Sequence, residues 1–363
     1  MIKKFFLIAL IPLILCGCSK NSTDEITFSS WGSATEVKII KNLISDFEKE
    51  NPSIKVKFMH IPQNYFQKIH LLFASNTPPD VLFVNNLYLP VYASYLEDLS
   101  GIIETNEFYK QSLDGLSIDK KLLAVPRDIS GVVLYVNLDK TTLPDSSWTL
   151  DDLMEKCKKI QSQNLFCISY EDKIYWLMPY LMYFGGGVLD NNYNLIIDNP
   201  LSKKSITFYK DLKNKYHYAP TKSEVGSLTQ AQMFIDGKIV FYLSGKWMYP
   251  KISEKAKFNW AVINFPYGKN AQNIDISGWA ISKNAKNKDA SIKLVKYLSD
   301  KKSSEYFTKT GLITPARVDT SNLIKNIEHN EKVFIDTIEK SKNTSISNDY
   351  GKLTDKLNNQ LDL

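Results

Sequence analysis

Short apolar runs alternate along the chain with segments whose apolar residues recur every three or four positions. Residues 25–29, 54–58 and 81–84 have the alternating or continuous apolar character of strands. Between the first two, residues 37–47 place Val, Ile, Leu and Phe side chains on one helical face. The same order of strand and helix continues to residue 310, which predicts an α/β fold.

Residues that favour helix ends support these elements. Ser33 and Glu36 have the spacing of a capping box, and Thr149 precedes a later amphipathic segment as its cap. Asn199 is followed by proline at the first helical position, and Gly237 ends a helix before an apolar run. The sequence shows no internal repeat and no low-complexity linker, so strands are expected to cross between domains.

The first residues predict export. Lys3 and Lys4 precede an unbroken apolar run at residues 5–15. Those eleven residues extend about 16 Å as a helix, well short of the roughly 30 Å hydrocarbon core of a bilayer. Residues 1–17 are therefore expected to be a signal peptide and not a membrane span.

The end of this segment determines how the protein is held after export. Leu15, Gly17 and Cys18 resemble a bacterial lipobox, with an aliphatic residue three positions before the modified cysteine and a small residue directly before it. Cys16 does not fit, because Leu15 would have to be the small residue. The alternative is an ordinary secretory signal that contains two cysteines. The register predicts lipidation of Cys18 and an extracytoplasmic protein anchored by lipid to the cell membrane, on the periplasmic face or the outer surface.

The length and the net charge of the chain limit the classes of function that need to be considered. Removal of residues 1–17 leaves 363 − 17 = 346 residues, enough for two domains of ordinary size. The formal charge of +6 falls to +4 (6 − 2) without Lys3 and Lys4, and the remaining lysines are scattered among acids. A nucleic-acid-binding protein would gather its charge in a stripe that includes arginine, so no nucleic-acid partner is expected.

Two cysteines remain if Cys18 carries lipid. Cys157 falls late in a predicted helix and Cys167 at the start of the next strand, so a disulfide between them is sterically feasible in an oxidising compartment. Two buried free thiols are the alternative, and the sequence does not decide between them.

Seven groups of residues occur in one order along nearly the whole mature chain: 26–31 with 47–52, 77–84, 125–137 with 148–153, 234–238, 245–247, 277–282 and 311–317. Together they resemble the extracellular solute-binding proteins that serve ABC importers, particularly the maltose-binding-like branch directed to sugars. The resemblance implies an α/β, two-lobed periplasmic-binding-protein fold of type II with the ligand cleft between the lobes. The N-terminal lobe would comprise residues 24–128 plus 276–315, and the C-terminal lobe residues 129–275 plus 316–363.

The resemblance also implies a function. The chain would be a monomeric substrate-binding lipoprotein that captures a sugar or oligosaccharide without any cofactor. It would deliver this ligand to the transmembrane subunits of an ABC permease that works with a cytoplasmic ATPase. Closure of the lobes about the ligand would be a hinge motion, and the closed form would be the one that the importer recognises.

Candidate ligand-binding residues in the first lobe follow its strands. Sugar sites combine aromatic rings with planar polar groups, because sugars present both apolar C–H faces and hydroxyls. Trp31 and Ser33 stand where the first strand passes into its helix, and Asn85 and Asn86 follow the third strand at the corresponding edge. A core position for Trp31 and simple turn chemistry for the asparagines are the alternatives.

In the second lobe, the resemblance implies stacking aromatic rings at Tyr175 or Trp176 and at Trp247. Gly278, at the return to the first lobe, would let the backbone approach the ligand, and Trp279 beside it would narrow the site. The alternative for Trp247 is a tryptophan that fills the core of the lobe.

Arginine occurs only at Arg127 and Arg317, and by resemblance both lie in segments that line the cleft. The guanidinium fork suits paired hydroxyls, a carboxylate or a phosphate, so at least one arginine is expected to bind the ligand. Asp128 belongs to the same expected set and would offset the charge of Arg127. In the alternative, each arginine pairs with a local acid, Asp128 or Asp319, and fixes the hinge.

Other classes of function fit less well. The sequence contains no Gly-x-Ser-x-Gly or His-Glu-x-x-His motif, no phosphate-binding glycine loop and no metal-type cysteine pattern, so neither catalysis nor a metal is expected. Two distant carboxylates could still meet as a glycosidase pair, which leaves a secreted glycoside hydrolase as an alternative. A phosphorylated or acidic sugar, glycerol 3-phosphate or a polyol is the alternative ligand. Metal or polyamine capture would need clusters of histidines or acids.

Overall fold

Two large β-sheets covered by helices form the frame of the molecule, and the described residues also contain a small two-stranded sheet. The computed structural model describes residues 24–145, 147–189, 195–266, 272–324, 329–339, 341–344, 353, 357 and 358. Cys18 and the expected signal peptide lie outside the described residues. Among the described residues, no helix combines the length and the apolar character needed to cross a bilayer.

The bounds of the elements follow the sequence pattern closely. The strands are β1 Asp24–Ser30, β2 Ile54–His60, β3 Val81–Asn85, β4 Ser117–Ile118, β5 Lys121–Leu122, β6 Val125–Ser130, β7 Val133–Asn137, β8 Phe166–Ile168, β9 Ile239–Ser244, β10 Trp260–Asn264, β11 Gln272–Ile281, β12 Thr314–Pro315 and β13 Ser341–Asn343. The α-helices are α1 Ala34–Glu50, α2 Tyr65–Ala74, α3 Leu89–Tyr92, α4 Lys110–Gly115, α5 Leu150–Gln161, α6 Ile174–Phe184, α7 Pro200–Asn214, α8 Lys222–Val225, α9 Gln230–Ile235, α10 Tyr249–Lys255, α11 Lys288–Leu298, α12 Lys301–Lys309 and α13 Val333–Glu339. Short 3₁₀-helices span Ala93–Tyr95, Lys246–Met248 and Val318–Leu323.

The first sheet has the strand order β12-β6-β11-β3-β1-β2, and β13 pairs with the start of β11. Strands β1, β2 and β3 are parallel, whereas β11 runs antiparallel to both β3 and β6. Its core is apolar and continuous, with Phe28, Phe83 and Trp279 fully buried between strands and helices. This sheet and its helices form the first lobe.

Helix α1 shows how local sequence sets an element. Ser33 caps it by accepting the Glu36 N–H at 3.3 Å, and an apolar face from Ile39 to Phe47 is buried against the sheet. The capping box expected from the spacing is only half realised, because the Glu36 carboxylate pairs with Arg127 from a distant strand. The cap therefore begins the helix while its acid takes part in long-range packing.

The second sheet has the order β10-β7-β9-β8 and is mixed, since β8 and β9 are parallel while β7 is antiparallel to β9 and β10. Apolar cores lie on both of its faces. A disulfide joins Cys157 on α5 to Cys167 on β8. This sheet and its helices form the second lobe, so the two-lobed α/β architecture expected from the resemblance is confirmed.

The boundary between the lobes differs from the expected one. Strand β6 continues in the first sheet to Ser130, and β11 already pairs there at Asp275. Residues 316–323 pack on the first lobe, where the Tyr109 N–H bonds to the Ala316 oxygen and the Val318 N–H to the Glu107 oxygen. The later segment belongs to both lobes: Phe334 of α13 is in the core of the second and Ile338 in that of the first.

Candidate functional site

Trp31 lies where the carboxyl ends of the parallel strands meet, the edge at which open α/β sheets bind ligands. It follows β1 directly, and its ring is 5.4 Å from Phe83, 6.0 Å from Phe66 and 6.3 Å from Tyr65, measured between ring centroids. The side chain is nevertheless 40% exposed. Trp31 is thus fixed by neighbouring aromatic rings and still offers apolar surface to solvent.

The turn after Trp31 is specified by close packing. Gly32 has φ +132°, and a Cβ added there would meet the Glu36 Oε2 at 2.6 Å, so only glycine fits without strain. A ring nitrogen of His60, at the end of β2, lies 3.1 Å from the Gly32 oxygen. Ser33 is exposed at the start of α1, and its hydroxyl is engaged in the cap.

A buried ion cluster lies beneath this turn. Arg127 donates through Nε to Asp128 Oδ1 at 2.6 Å and through Nη1 to Glu36 Oε1 at 2.5 Å, and all three side chains are almost fully buried. Burial opposes the charge of the guanidinium, but the two carboxylates outweigh it and raise the pKa of Arg127, so the guanidinium stays charged. The guanidinium carbon is also 5.1 Å from the Phe83 ring centroid, which links the cluster to the packing of Trp31.

A β-bulge explains how this cluster forms. The register of β6 against β11 pairs Asp128 with Ser277 and Pro126 with Gly278, so it skips Arg127. Consecutive strand residues ordinarily point to opposite faces, whereas a bulge turns a side chain out of that alternation. Arg127 and Asp128 can therefore bond to each other although they are neighbours in sequence.

The two asparagines of the first lobe bond to the backbone. Asn86 is buried, accepts the Ile276 N–H through Oδ1 at 2.9 Å and donates its own N–H to the Ile276 oxygen at 2.9 Å. Asn85 is half-buried, and its Oδ1 accepts the Tyr88 N–H at 3.1 Å. Asn85 therefore has the turn role that was the alternative to ligand binding, whereas Asn86 joins the end of β3 to the backbone of β11.

Trp279 and Gly278 occupy a different environment from the one implied by the resemblance. Trp279 is fully buried, with its ring centroid 5.2 Å from that of Phe28 and 6.0 Å from that of Phe83. It therefore presents no surface to a ligand. Gly278 is required by sheet packing, since an added Cβ would lie 2.3 Å from the Val125 oxygen. These two residues belong to the core of the first lobe and do not line a cleft.

Three of the predicted aromatic residues of the second lobe are brought together. The ring centroids of Tyr175 and Trp176, in the first turn of α6, are 5.1 Å apart, and that of Trp247 is 6.4 Å from Tyr175. All three are half-buried. The Trp247 ring packs directly against Gly245, where an added Cβ would lie only 2.0 Å from Cζ3 of the ring. The chain thus forms a compact aromatic group in the second lobe.

Tyr175 also reaches the first sheet. Its hydroxyl bonds to Asp275 on β11, and that carboxylate accepts a second bond from the Thr344 hydroxyl at 2.9 Å. Burial raises the pKa of Asp275 to about 6, although both hydroxyls lower it. Sequence reasoning missed Asp275 as a partner of Tyr175, since nothing local relates two residues a hundred positions apart.

Lys246 holds the turn that carries Trp247. It is buried and paired with Glu331, and its Nζ lies 3.7 Å from the centroid of the Tyr249 ring. Burial lowers the pKa of Lys246 to about 8 despite the attraction of Glu331. The residue before Trp247 is therefore a structural cation.

Arg317 pairs with a local acid. Its Nε and Nη2 each lie 2.9 Å from a carboxylate oxygen of Asp319, and Nη1 donates to the Ser299 oxygen at 3.3 Å. The arrangement lies on the first lobe, where Phe108 packs against the guanidinium. This is the local pairing that was the alternative to ligand binding.

A cavity of about 450 Å³ opens at the carboxyl end of β8, beside the start of α6. Within it Lys213 Nζ lies 2.7 Å from Asp172 Oδ1 and 4.4 Å from the centroid of the Tyr170 ring. The cavity is also bordered by Glu171, Lys173, Pro220, Lys222, Val225, Gly226, Thr229 and Gln230. Sequence reasoning did not find it, although a polar stretch directly before Tyr175 was the available signal.

The chain matches the model of a known family and the structures of known binding proteins. The family described as bacterial extracellular solute-binding protein matches residues 42–334, which is 293 of 363 residues. The galactooligosaccharide-binding protein of Bacillus subtilis is 25% identical over 83% of this chain and 77% of its own length.

Two solved structures share the fold. An ABC substrate-binding protein from Listeria monocytogenes, solved with cycloalternan, superposes with a TM-score of 0.84 at 21% identity over 93% of this chain and 92% of its own. The GacH receptor of Streptomyces glaucescens, solved unliganded and with acarbose, gives 0.83 at 23% identity over 93% and 92%. The extent of the family match shows that this chain belongs to the bacterial extracellular solute-binding proteins.

Proposed function

We propose that this chain captures an oligosaccharide between its two lobes and presents it to an ABC importer. Family membership supports a solute-binding role outside the cytoplasm. The names of the relatives point to saccharides, namely galactooligosaccharide, cycloalternan and acarbose. The observation that carries the proposal is Trp31, an indole fixed by three aromatic rings yet 40% exposed at the ligand edge of the first sheet.

The aromatic residues of both lobes suit the chemistry of a sugar. A ring held on one side and open on the other provides the flat apolar surface on which the C–H face of a sugar stacks. Trp31 would supply that surface in the first lobe, and Tyr175, Trp176 and Trp247 in the second. Closure of the lobes would place a saccharide between the two groups.

The arginines favour a neutral ligand. Arg127 is engaged by Glu36 and Asp128, and Arg317 by Asp319, so the charge of each guanidinium is balanced within the protein. Neither arginine therefore offers an unpaired guanidinium to a phosphorylated or acidic sugar.

The volume of the second-lobe cavity, about 450 Å³, favours a ligand of more than one sugar unit. The Tyr170 ring gives it an apolar wall, and the Asp172–Lys213 pair and Gln230 give it polar groups. The cavity ends at Lys173, two residues before Tyr175, and we infer that a chain of sugars stacked on Tyr175 extends toward it. The proposal is accordingly an oligosaccharide and not a monosaccharide.

The alternative of a glycoside hydrolase has less support. The relatives that match include two oligosaccharide-binding proteins and one receptor by name. Incubation of the purified chain with the oligosaccharides named below should leave them intact. Hydrolysis products at a rate above that of buffer would replace the binding proposal with an enzymatic one.

The cellular setting forms part of the same proposal. The lipobox residues support anchoring through Cys18, and the transmembrane subunits of an ABC permease would receive the ligand from a monomeric binding protein. The chain would thus work at the outer face of the cell membrane.

A thermal-shift screen of residues 19–363 tests the ligand. Galactotriose, maltotriose, arabinotriose, glycerol 3-phosphate and spermidine would be compared, because they separate neutral, anionic and cationic ligands. A ligand at one hundred times its Kd should add about 2.7 kcal/mol to the free energy of unfolding. A shift with an oligosaccharide that is unchanged between low and high salt supports the proposal. A shift confined to glycerol 3-phosphate or spermidine would refute it.

A further inference from the structure

Asp275 is a buried carboxylate at the junction of the two lobes. It lies on β11, where the chain has returned to the first sheet, opposite Ser130 at the end of β6. Its side chain accepts hydrogen bonds from the hydroxyls of Thr344 and Tyr175. Tyr175 belongs to α6, which packs in the core of the second lobe. One carboxylate therefore links the sheet of one lobe to a helix of the other.

The surroundings of Asp275 contain hydroxyls and no paired cation. Within the described residues no ion pair includes it, and the two hydroxyls are the groups that stabilise its charged form. Arg127 and Asp128 bond to each other, and the other nearby charges are exposed. The charged residues on the elements packed against β11 are Arg127 and Asp128 on β6, Lys342 on β13, Lys110 and Asp114 on α4, Lys173 before α6, and Lys288, Asp289, Lys293 and Lys296 on α11.

We propose that Asp275 is a positioning residue for ligand capture. It fixes the Tyr175 ring at the junction of the lobes, and it couples the joining of the lobes to the uptake of a proton. The inference rests on the proposed function, because Tyr175 is taken there as a ring that stacks on the ligand. When α6 packs on β11, the carboxyl is shut away from water. When the lobes part, water reaches the carboxyl and its pKa returns toward that of an ordinary aspartate.

The direction of the effect follows from linkage. The arrangement in which the carboxyl has the higher pKa binds the proton more tightly, so acidification favours that arrangement. The pKa of Asp275 is about 6 when it is buried against Tyr175, compared with 3.8 for the ordinary group. Ligand affinity should therefore rise about fourfold when the pH falls from 7.5 to 5.5.

Calorimetry of the mature chain with galactotriose as the probe tests the coupling. The wild type should bind about fourfold more tightly at pH 5.5 than at pH 7.5. Asp275→Asn keeps an acceptor for the Tyr175 hydroxyl but cannot ionise, so its affinity should be equal at the two pH values. Asp98→Asn, which changes an exposed carboxylate bonded to Ser100 in its own loop, should follow the wild type.

Tyr175→Phe separates positioning from stacking. This variant keeps the ring and removes one of the two hydroxyls that stabilise the charged carboxylate. The pKa of Asp275 should therefore rise, and the pH range over which the affinity changes should rise with it. A purely structural Asp275 would make Asp275→Asn less stable and leave the pH profile of affinity as in the wild type. Equal pH profiles in the wild type and Asp275→Asn would therefore overturn the inference.

Hydrogen exchange of the ligand-free protein provides a test that needs no sugar. The first turn of α6 is held by Asn358 and Asp275. We compare its protection from exchange in the wild type with its protection in Asp275→Asn at the same pH. The ratio of wild-type to variant protection should be higher at pH 5.5 than at pH 7.5. If galactotriose does not bind but this difference is present, the choice of sugar is wrong and the positioning role stands. If the difference is missing, the positioning role is wrong, whatever the ligand.

Discussion

Replacement of Trp31 by alanine tests the proposed sugar site directly. The indole has two separable effects, because about three-fifths of it is buried against Tyr65, Phe66 and Phe83 and the rest is open. Loss of one stacking ring should weaken saccharide binding by about 1–3 kcal/mol, the range known for base–aromatic stacking, which is about 5–150-fold in Kd. The buried part amounts to about 120 Å² of a side chain that can bury roughly 200 Å². At ~25 cal/mol per Å² its removal costs up to about 3 kcal/mol of unfolding free energy.

The assay combines calorimetry with chemical denaturation, so that both effects are measured on the same protein. Trp31→Phe is the first control, because it keeps a flat ring and should lose less affinity and less stability than Trp31→Ala. Tyr306→Ala is the second control, since it removes another exposed aromatic ring, one whose hydroxyl bonds to Asn42 on the outer surface. It should leave affinity unchanged.

One result would refute the reasoning about Trp31. If folded Trp31→Ala binds the oligosaccharide from the screen with the Kd of the wild type, the exposed face of the indole takes no part in binding. The residue would then be a cover for Phe83 and Tyr65, and the first-lobe site would have to be sought elsewhere.

The remaining predictions concern the second lobe, the core and the termini. Trp247→Ala should weaken saccharide binding by about 1–3 kcal/mol in calorimetry. Trp279 is buried, so Trp279→Ala should lower the unfolding free energy by about 3–5 kcal/mol and leave the affinity of the folded fraction unchanged. If instead Trp279→Ala weakens binding and Trp247→Ala only lowers stability, Trp279 is the binding residue and Trp247 the core residue. Cys18→Ser should move the processed protein from the membrane fraction to the soluble one with its affinity intact. A variant that stays with the membrane after removal of its signal peptide would show that something other than lipid holds it. Thiol titration of unreduced, unfolded residues 19–363 should find no free thiol, and replacing Cys157 and Cys167 by serine should cost about 3 kcal/mol of stability for a separation of 10 residues; two titratable thiols would contradict the bridge.

Elements with a strong local pattern could be predicted from the sequence. The apolar face of residues 37–47 and the Ser33 cap specify α1, and the alternating run at residues 54–58 specifies β2. The information lies within a few residues, so periodicity is enough. The path of the chain between the lobes could not be predicted from a local pattern. Whether the chain after Pro315 packs on one lobe or the other depends on bonds from Tyr109 and Val318 to distant backbone, which no local pattern reveals.

The site was predictable only where position along a strand decides the environment. Trp31 follows β1 at the open edge, and a glycine and a serine after it indicated a loop. Trp279 also follows a glycine, but it lies within a strand, and the face it occupies depends on how β11 pairs with its neighbours. The pairing with β6 shifts at a bulge, and a shift of one residue exchanges the two faces of a strand. The sequence therefore singled out both tryptophans but could not distinguish an exposed ring at the sheet edge from a ring buried in the core.

The same bulge bears on how the first lobe binds. Trp31 rests on Phe83, Phe83 lies against the Arg127 guanidinium, and Arg127 bonds to Glu36, whose side chain fills the space beside Gly32 in the turn after Trp31. Each of these groups contacts the next, and the last lies beside the turn that carries Trp31. The orientation of the indole is therefore fixed before any ligand binds. A preorganised ring loses little conformational entropy on binding. Arg127 can therefore influence affinity without touching the sugar, and the use of arginine at this position reflects a need for a buried fork between two carboxylates.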